Sequence, residues 1–184
     1  MKYITSVLTV IMVIVLAFSI FHNRRAKEEA KFEDQYVKLN IAELYLVLND
    51  DKMTAMHDMR YVFRGRVYLD SALEKSGYFG VLRVAMVCCA ADTIAAGFRI
   101  PVKYLPAGTK NGDWVKVYGK AKRVGRDKEG ETDLTDKSSR TMSGSPVSVS
   151  VRNDFIFIPD RVETTERPDD GYMYKWNPSG PYNY

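Results

Sequence analysis

Strict alternation of side-chain character over residues 114–124 is the feature that most restricts how this chain can fold. Apolar or small residues occupy positions 115, 117, 119 and 121, and the positions between and after them are Lys116, Tyr118, Lys120 and Lys122. A two-residue period is typical of a β-strand with one buried face. Shorter runs of similar character lie at 61–69, 81–87 and 98–104, and a further one lies within 147–151 or 154–158. The pattern predicts five short strands.

Glycines inside these predicted strands indicate a barrel. Gly65 and Gly119 interrupt otherwise regular alternation, and a small barrel needs such positions because its strands bend sharply. Apolar residues recur at helical intervals within 40–59, so we expect one or two short helices packed on the sheet. The predicted fold class is mainly β: a small OB-like β-barrel with one or two short helices, preceded by an N-terminal transmembrane helix.

The transmembrane prediction depends on an uncharged apolar run from Tyr3 to Phe21. About 20 such residues are needed for a helix to cross the hydrocarbon core of a bilayer. A cleaved signal peptide is the alternative, because Lys2 precedes the run and residues 17–19 fit a cleavage pattern. The run is longer than the apolar part of a usual signal peptide. We therefore expect an uncleaved, single-pass anchor in the cell membrane.

Positive charge is concentrated beside this run. The chain carries 27 basic and 23 acidic residues, but residues 32–184 hold 22 and 21 of them, so the body of the protein is nearly neutral. The basic residues after the anchor, taken literally under the positive-inside rule, would place the domain in the cytoplasm. A short lysine-led N-terminus before a single apolar run favours an extracytoplasmic domain instead. The sequence leaves the side of the membrane open.

Composition divides the chain into four regions. We expect a transmembrane anchor at 1–23, a charged stalk at 24–39, a barrel domain at 40–166 and an aromatic Pro/Gly-rich tail at 167–184. Within the barrel domain, the polar stretch 125–146 is too long for a tight hairpin and predicts a mobile loop. Aromatic residues on such a tail more often pack onto the domain or a partner than remain in water.

Two adjacent cysteines and an aspartate, Cys88, Cys89 and Asp92, follow the second predicted strand. Thiolates suit zinc or copper(I), and a carboxylate can complete a zinc shell. His57 is the further candidate ligand, because the only other histidine is the juxtamembrane His22. Zinc is the cofactor that this set predicts. Neighbouring side chains of a strand point to opposite faces, so the thiols converge only if the chain turns, and 90–96 suits a turn and a short helix.

Other interpretations of these residues stay open. The cysteines also suit small buried hydrophobic positions with Asp92 as a helix cap, and a vicinal disulfide is a third interpretation. Two adjacent cysteines exclude a scaffold held together by several disulfides. The sequence contains no Gly-rich phosphate loop, no nucleophile elbow and no HExxH motif, and a Cys–His nucleophile pair is supported by residue type alone. We therefore expect a protein that is not an enzyme.

The lysines of the 114–124 strand also bring nucleic acid into consideration. OB barrels bind single strands through basic and aromatic residues, and Lys116, Tyr118, Lys120 and Lys122 fit that description. The alternative is the solvent-facing side of a half-buried strand. The nearly neutral body and the membrane anchor argue against nucleic acid as a partner.

Three elements in order resemble the C-terminal domain of the bacterial permease-subunit family typified by YcgQ. They are Arg83…Cys88-Cys89-x-Ala91-Asp92, Trp114-Val115-x-Val117-x-Gly119 and Pro168-x-x-x-Tyr172-x-Tyr174. The resemblance implies an OB-like domain carried on membrane segments, a multi-spanning membrane permease as partner, and a link to metal-ion handling. It implies Arg83, Cys88, Cys89 and Asp92 as motif residues. This chain departs from the family in its single membrane segment and in lacking a proline shortly after Asp92.

Two functions are consistent with the sequence. The first is a membrane-anchored accessory subunit of a permease that binds or senses a metal ion through the Cys-Cys-Asp element. The second is a non-catalytic envelope interaction module, docking through its tail and loop, in which the cysteines are structural.

Overall fold

The computed structural model describes residues 2–86, 93–123, 132–140, 146–168 and 173–174. The chain divides into two compact units, Met1–Tyr36 and Val37–Tyr184. The first unit contains one helix, and the second contains every strand.

The first unit is built on the helix α1 (Lys2–Glu33). The helix runs without a break from the predicted anchor into the predicted stalk. Its large apolar side chains between Ile11 and Phe21 are each more than half exposed. Among the described residues, no helix combines the length and the hydropathy of a membrane span. The transmembrane helix stays a prediction.

The second unit alternates short helices with longer strands. Its helices are α2 (Ile41–Asn49), α3 (Thr54–His57) and α4 (Ser71–Lys75), with single 3-10 turns at Asp51–Met53 and Val102–Tyr104. Its strands are β1 (Val37–Lys38), β2 (Tyr61–Tyr68), β3 (Tyr78–Met86), β4 (Thr93–Pro101), β5 (Trp114–Arg123), β6 (Thr132–Arg140), β7 (Pro146–Thr164) and β8 (Met173–Tyr174).

Five of these strands close into a barrel. The ring runs β2-β3-β4-β7-β5 and returns to β2, with β4 parallel to β7 and every other ring pair antiparallel. Outside the ring, β1 pairs parallel with β2, β8 pairs parallel with β3, and β6 pairs antiparallel with β7. A mainly β protein with a closed five-stranded barrel and a few short helices is confirmed.

The barrel interior is filled by aromatic rings. Phe63, Phe98 and Phe157 come from three different strands, and their ring centroids lie 4.8–6.1 Å apart. Helix α2 adds Ile41, Leu44, Val47 and Leu48 to the same core. The helix starts at a capping box, in which the Asn40 side chain accepts from the Glu43 N–H at 2.9 Å and Glu43 Oε2 accepts from the Asn40 N–H at 2.8 Å.

Glycine has a specific role where strands cross closely. A Cβ on Gly119 would lie 2.2 Å from the carbonyl oxygen of Ile158 and 2.7 Å from the Cα of Pro159. The register of β5 against β7 shifts between Tyr118 and Gly119. Gly119 therefore lets β7 cross β5 at a distance that a side chain would prevent, as the sequence predicts for a barrel bend.

Several elements differ from the sequence-based expectation. Residues 93–96 belong to β4 and not to a short helix, because Ala95 and Ala96 are small enough to be buried between β3 and β7. Within the expected loop 125–146, residues 132–140 form β6, since a polar strand needs only the backbone groups of β7 to pair with. The two alternatives for the fifth strand are both parts of β7. The short helix α4 was not expected.

Candidate functional site

The predicted metal-binding residues Cys88, Cys89 and Asp92 come between β3 and β4 in the sequence. The register of this strand pair runs without interruption from Tyr78 opposite Pro101 to Met86 opposite Thr93. Cys88, Cys89 and Asp92 belong to the segment 87–92, which lies outside the described residues. The two residues that flank this segment are therefore register partners on adjacent strands. The tail returns to the same place, because Met173 and Tyr174 pair with Ala85 and Met86.

His57, the fourth predicted ligand, lies within the described residues and contacts α2 and β7. Its Nε2 lies 2.9 Å from the carbonyl oxygen of Val47, and its ring packs edge-on against Phe155 with centroids 6.4 Å apart. These contacts join α3 to α2 and to the barrel. A metal bound by His57 would have to use Nδ1, because Nε2 faces a carbonyl. The described part of the chain contains no group of three or more His, Cys, Asp or Glu residues arranged to hold a metal ion.

A second candidate site is the outer face of β2, β5 and β7, which we call the basic face. Register places Lys38, Val62, Tyr118 and Arg161 in one row across four strands. The next row holds Arg64, Lys116 and Glu163, and Arg66 lies opposite Trp114. Val115 and Val117, between these positions on β5, are buried in the barrel core. Val115 and Val117 face the core as the sequence predicts, but residues 115–119 are all buried, so the prediction of one solvent-facing side is wrong for this part of β5. The lysines of β5 share a face with two arginines of β2.

Tyr118 is the centre of the basic face and is completely buried. The ammonium of Lys116 lies 5.2 Å and the guanidinium of Arg161 lies 4.7 Å from the centroid of its ring. Its hydroxyl donates to Glu163 Oε1 at 3.0 Å, and Glu163 Oε2 accepts from Arg161 at 2.9 Å. Lys116 is itself 8% exposed. The expectation that Lys116 and Tyr118 face solvent is therefore wrong, because long cationic side chains cover the ring.

Arg83 is buried beside the basic face. Only 2% of its surface is exposed, and its guanidinium lies 5.2 Å from the centroid of the Trp114 ring. The resemblance to the permease-subunit family singled out both residues, and the structure brings them together. A buried guanidinium stacked on an indole contributes to the position of β3 against β5.

Sequence analysis missed the contribution of β2 and β7 to the basic face. Arg64 and Arg66 flank Gly65 in the predicted first strand, and Arg161 follows the predicted fifth strand. The alternation of these arginines with core residues indicates which face of each strand they lie on. Closure of the ring determines which strands are neighbours, and no local sequence pattern encodes this closure.

Comparison with known proteins gives a family. The model of the DUF1980 C-terminal domain family matches residues 21–139, about two thirds of the chain. No curated protein matches the chain. One similar solved structure, from Leishmania major Friedlin, is assigned as an aspartyl-tRNA synthetase. It is 10% identical, with a TM-score of 0.26, and the match covers 79% of this chain but 27% of that one, so it carries no argument here. The family match shows that the chain belongs to the DUF1980 C-terminal domain family.

Proposed function

We propose that this protein is a membrane-anchored accessory subunit of a permease, and that its barrel carries a metal-binding element formed by Cys88, Cys89 and Asp92. The observation that carries the proposal is the pairing of Met86 with Thr93. The two thiols and the carboxylate belong to the six residues that separate these two partners in the sequence. We also propose that this chain belongs to the YcgQ-like subgroup of its family.

The barrel topology supports an OB-type assignment. Numbered along the chain, the ring strands follow the order 1-2-3-5-4, and the third and fifth are parallel. This is the arrangement of a Greek-key barrel of the OB type. OB barrels are mostly binding modules, which agrees with an accessory role and with the lack of catalytic motifs.

The donor set of the connection suits zinc. Antiparallel partners such as Met86 and Thr93 have Cα atoms about 4.5–5.5 Å apart. The proposal requires the Cys88 and Cys89 thiols to converge, whereas neighbouring side chains of an extended strand point to opposite faces. Two thiolates and the Asp92 carboxylate would supply three ligands, and His57 Nδ1 is the candidate for a fourth. Bound zinc would tie β3 and β4 together at this end.

The anchor is supported by the surface of α1. Its large apolar side chains between Ile11 and Phe21 are exposed on all sides of the helix. A helix that is apolar all round is normally buried in protein or in lipid. We propose that lipid covers this segment and that the permease is reached through the same membrane.

Zinc content of the full-length, reduced protein in detergent tests the metal element. We expect about one zinc per chain, lost in the Cys88→Ser/Cys89→Ser variant and weakened by Asp92→Asn. Asp58→Asn, at an exposed aspartate near His57, is the matched control and should keep its zinc. A metal-free protein whose cysteine variant is merely less stable would contradict the proposal and assign the thiols to packing.

An interaction module without metal is the second candidate function. The pairing of β8 with β3 favours it, because a tail that adds a strand to the barrel could also be shared with a partner. Crosslinking of the full chain in its own membrane separates the two. A partner that is lost on deletion of residues 168–184 but kept in the Cys88→Ser/Cys89→Ser variant would favour this module.

A further inference from the structure

We propose that the basic face binds the anionic headgroups of a lipid bilayer, so that the barrel contacts the membrane surface as well as being tethered to it. The inference rests on the membrane association proposed above. It names a second partner for the same domain and involves none of the metal-binding residues.

The cations of this face form a continuous stripe. Along β5 it extends from Lys116 to Lys122, and on the neighbouring strands it includes Lys38, Arg64, Arg66 and Arg161. Lys38, Lys120 and Lys122 are exposed. The six residue steps from Lys116 to Lys122 span about 20 Å along β5, which is several lipid headgroup diameters.

Charge on this face is strongly one-sided. Seven cations lie in the register rows, and Glu163 is the carboxylate among them. Asp160, near the irregularity of β7, is 3.7 Å from Arg60. The positive excess is local, because residues 32–184 as a whole are nearly neutral. A surface with an excess of positive charge attracts an anionic surface through many weak contacts.

The aromatic residues decide between lipid and single-stranded nucleic acid. Bases bind single-strand proteins by stacking on accessible rings. Tyr118 is fully buried beneath Lys116 and Arg161, and so offers no stacking surface. Trp114 is partly buried, and the guanidinium of the buried Arg83 lies 5.2 Å from its ring, so one side of that ring is occupied. Ile158, which pairs with Lys120 on the same face, is instead 36% exposed. Cations around an exposed aliphatic side chain suit the polar and apolar layers of a membrane interface.

Trp114 provides a reporter on this face. The full-length Trp176→Phe variant, which keeps Trp114 as its one tryptophan, would be reconstituted into vesicles that contain a lipid with a nitroxide headgroup. One set is phosphatidylcholine alone, and the other also contains phosphatidylglycerol. We expect quenching of Trp114 to be at least about twofold greater in the anionic vesicles. The difference should vanish in molar salt, where the Debye length is about 3 Å.

Charge reversal at exposed positions provides the control. Lys120→Glu/Lys122→Glu should reduce quenching in anionic vesicles to the neutral level. Lys75→Glu/Lys103→Glu makes the same change in charge at exposed lysines of α4 and the 3-10 turn, and should leave quenching unchanged. Equal quenching in both vesicle types, or equal effects of the two double variants, would overturn the inference. So would binding of a single-stranded oligonucleotide that releases Trp114 from anionic vesicles.

Flotation of the same samples separates this inference from the proposed anchor. Flotation with neutral vesicles, without greater quenching of Trp114 in anionic vesicles, would support the proposed anchor. It would contradict lipid binding by the basic face. Flotation with anionic vesicles alone, abolished by Lys120→Glu/Lys122→Glu, would contradict the proposed anchor and support lipid binding by the basic face. Failure to float with either vesicle type contradicts both.

Discussion

The hydroxyl of Tyr45 binds both backbone groups of Gly97. It accepts from the Gly97 N–H at 3.0 Å and donates to the Gly97 carbonyl oxygen. The Tyr45 ring also packs edge-on against Phe98, with centroids 4.9 Å apart. A side chain of α2 thus fixes the backbone of β4 where its register with β7 is about to shift, between Phe98 and Arg99.

Tyr45→Phe tests the importance of this contact. The variant keeps the ring against Phe98 but leaves two buried backbone groups of Gly97 without the hydroxyl. We expect a loss of about 1–2 kcal/mol in the free energy of unfolding. Urea denaturation followed by circular dichroism measures it. An unchanged unfolding midpoint would show that water replaces the hydroxyl at no cost.

Gly97→Ala should be more damaging than the same change at Gly80. A Cβ on Gly97 would lie 2.2 Å from the Val81 carbonyl oxygen and 2.9 Å from the Leu82 Cα, so backbone must move. A Cβ on Gly80 would meet the Tyr68 side chain at 3.2 Å, which a small adjustment relieves. We expect Gly97→Ala to cost about 1–3 kcal/mol.

The two alanine variants would be compared by thermal unfolding. Gly80→Ala is the matched control, because both glycines lie in the β3–β4 pair and neither has a positive φ. A larger loss for Gly80→Ala would contradict the close approach of β3 and β4 at Gly97.

The barrel was predictable because its strands carry local signals. The alternation of 114–124 and Gly119 together predict a strand and its bend, and the structure places both in β5. The strand at 93–96 was missed for a physical reason. Alanines have high helix propensity, and the burial between β3 and β7 that overrides it is a tertiary effect.

The candidate sites were predictable only in part. Cys88, Cys89 and Asp92 were predicted from residue type and spacing and lie outside the described residues, so they stay a prediction. The predicted lysines of β5 are three of the seven cations of the basic face. Arg161 is distant in sequence and joins them through ring closure, which a single sequence read locally does not contain.

Glu43 should make stability depend on pH in the acidic range. Burial raises its pKa above the ordinary value of 4.5, against the opposing hydrogen bond from the Asn40 N–H. The folded state therefore binds more protons than the unfolded state between 4.5 and the higher folded pKa. We expect this carboxyl to make the protein less stable as pH rises through that window, and to contribute its full penalty above it.

Glu43→Gln isolates this contribution. Glutamine retains an oxygen that can accept from the Asn40 N–H, but it does not titrate, so the local slope of stability against pH should disappear. Glu43→Ala removes the slope and also the cap, at a cost of about 1 kcal/mol. Urea midpoints measured from pH 4 to 7, across the ordinary pKa of 4.5, supply the comparison. A Glu43→Gln protein with the original slope would assign the titration to another group.

Tyr118→Phe tests the centre of the basic face. The phenol is fully buried and donates to Glu163, whose other oxygen accepts from Arg161. Glu163 is 36% exposed, so water can take the place of the lost donor in part. We expect the variant to lose about 1 kcal/mol of unfolding free energy.

A double-mutant cycle with Glu163→Ala, which removes the acceptor, distinguishes the hydrogen bond from packing of the ring. The Tyr118–Glu163 coupling should be about 0.5–1 kcal/mol, because the two side chains touch directly. The partly exposed Arg161–Glu163 pair contributes little by itself. Strictly additive effects would show that the hydroxyl is not bound to Glu163 in solution. Phenylalanine keeps the ring beneath Lys116 and Arg161, so anionic quenching of Trp114 should be unchanged, and its loss would mean that the phenol itself contacts lipid.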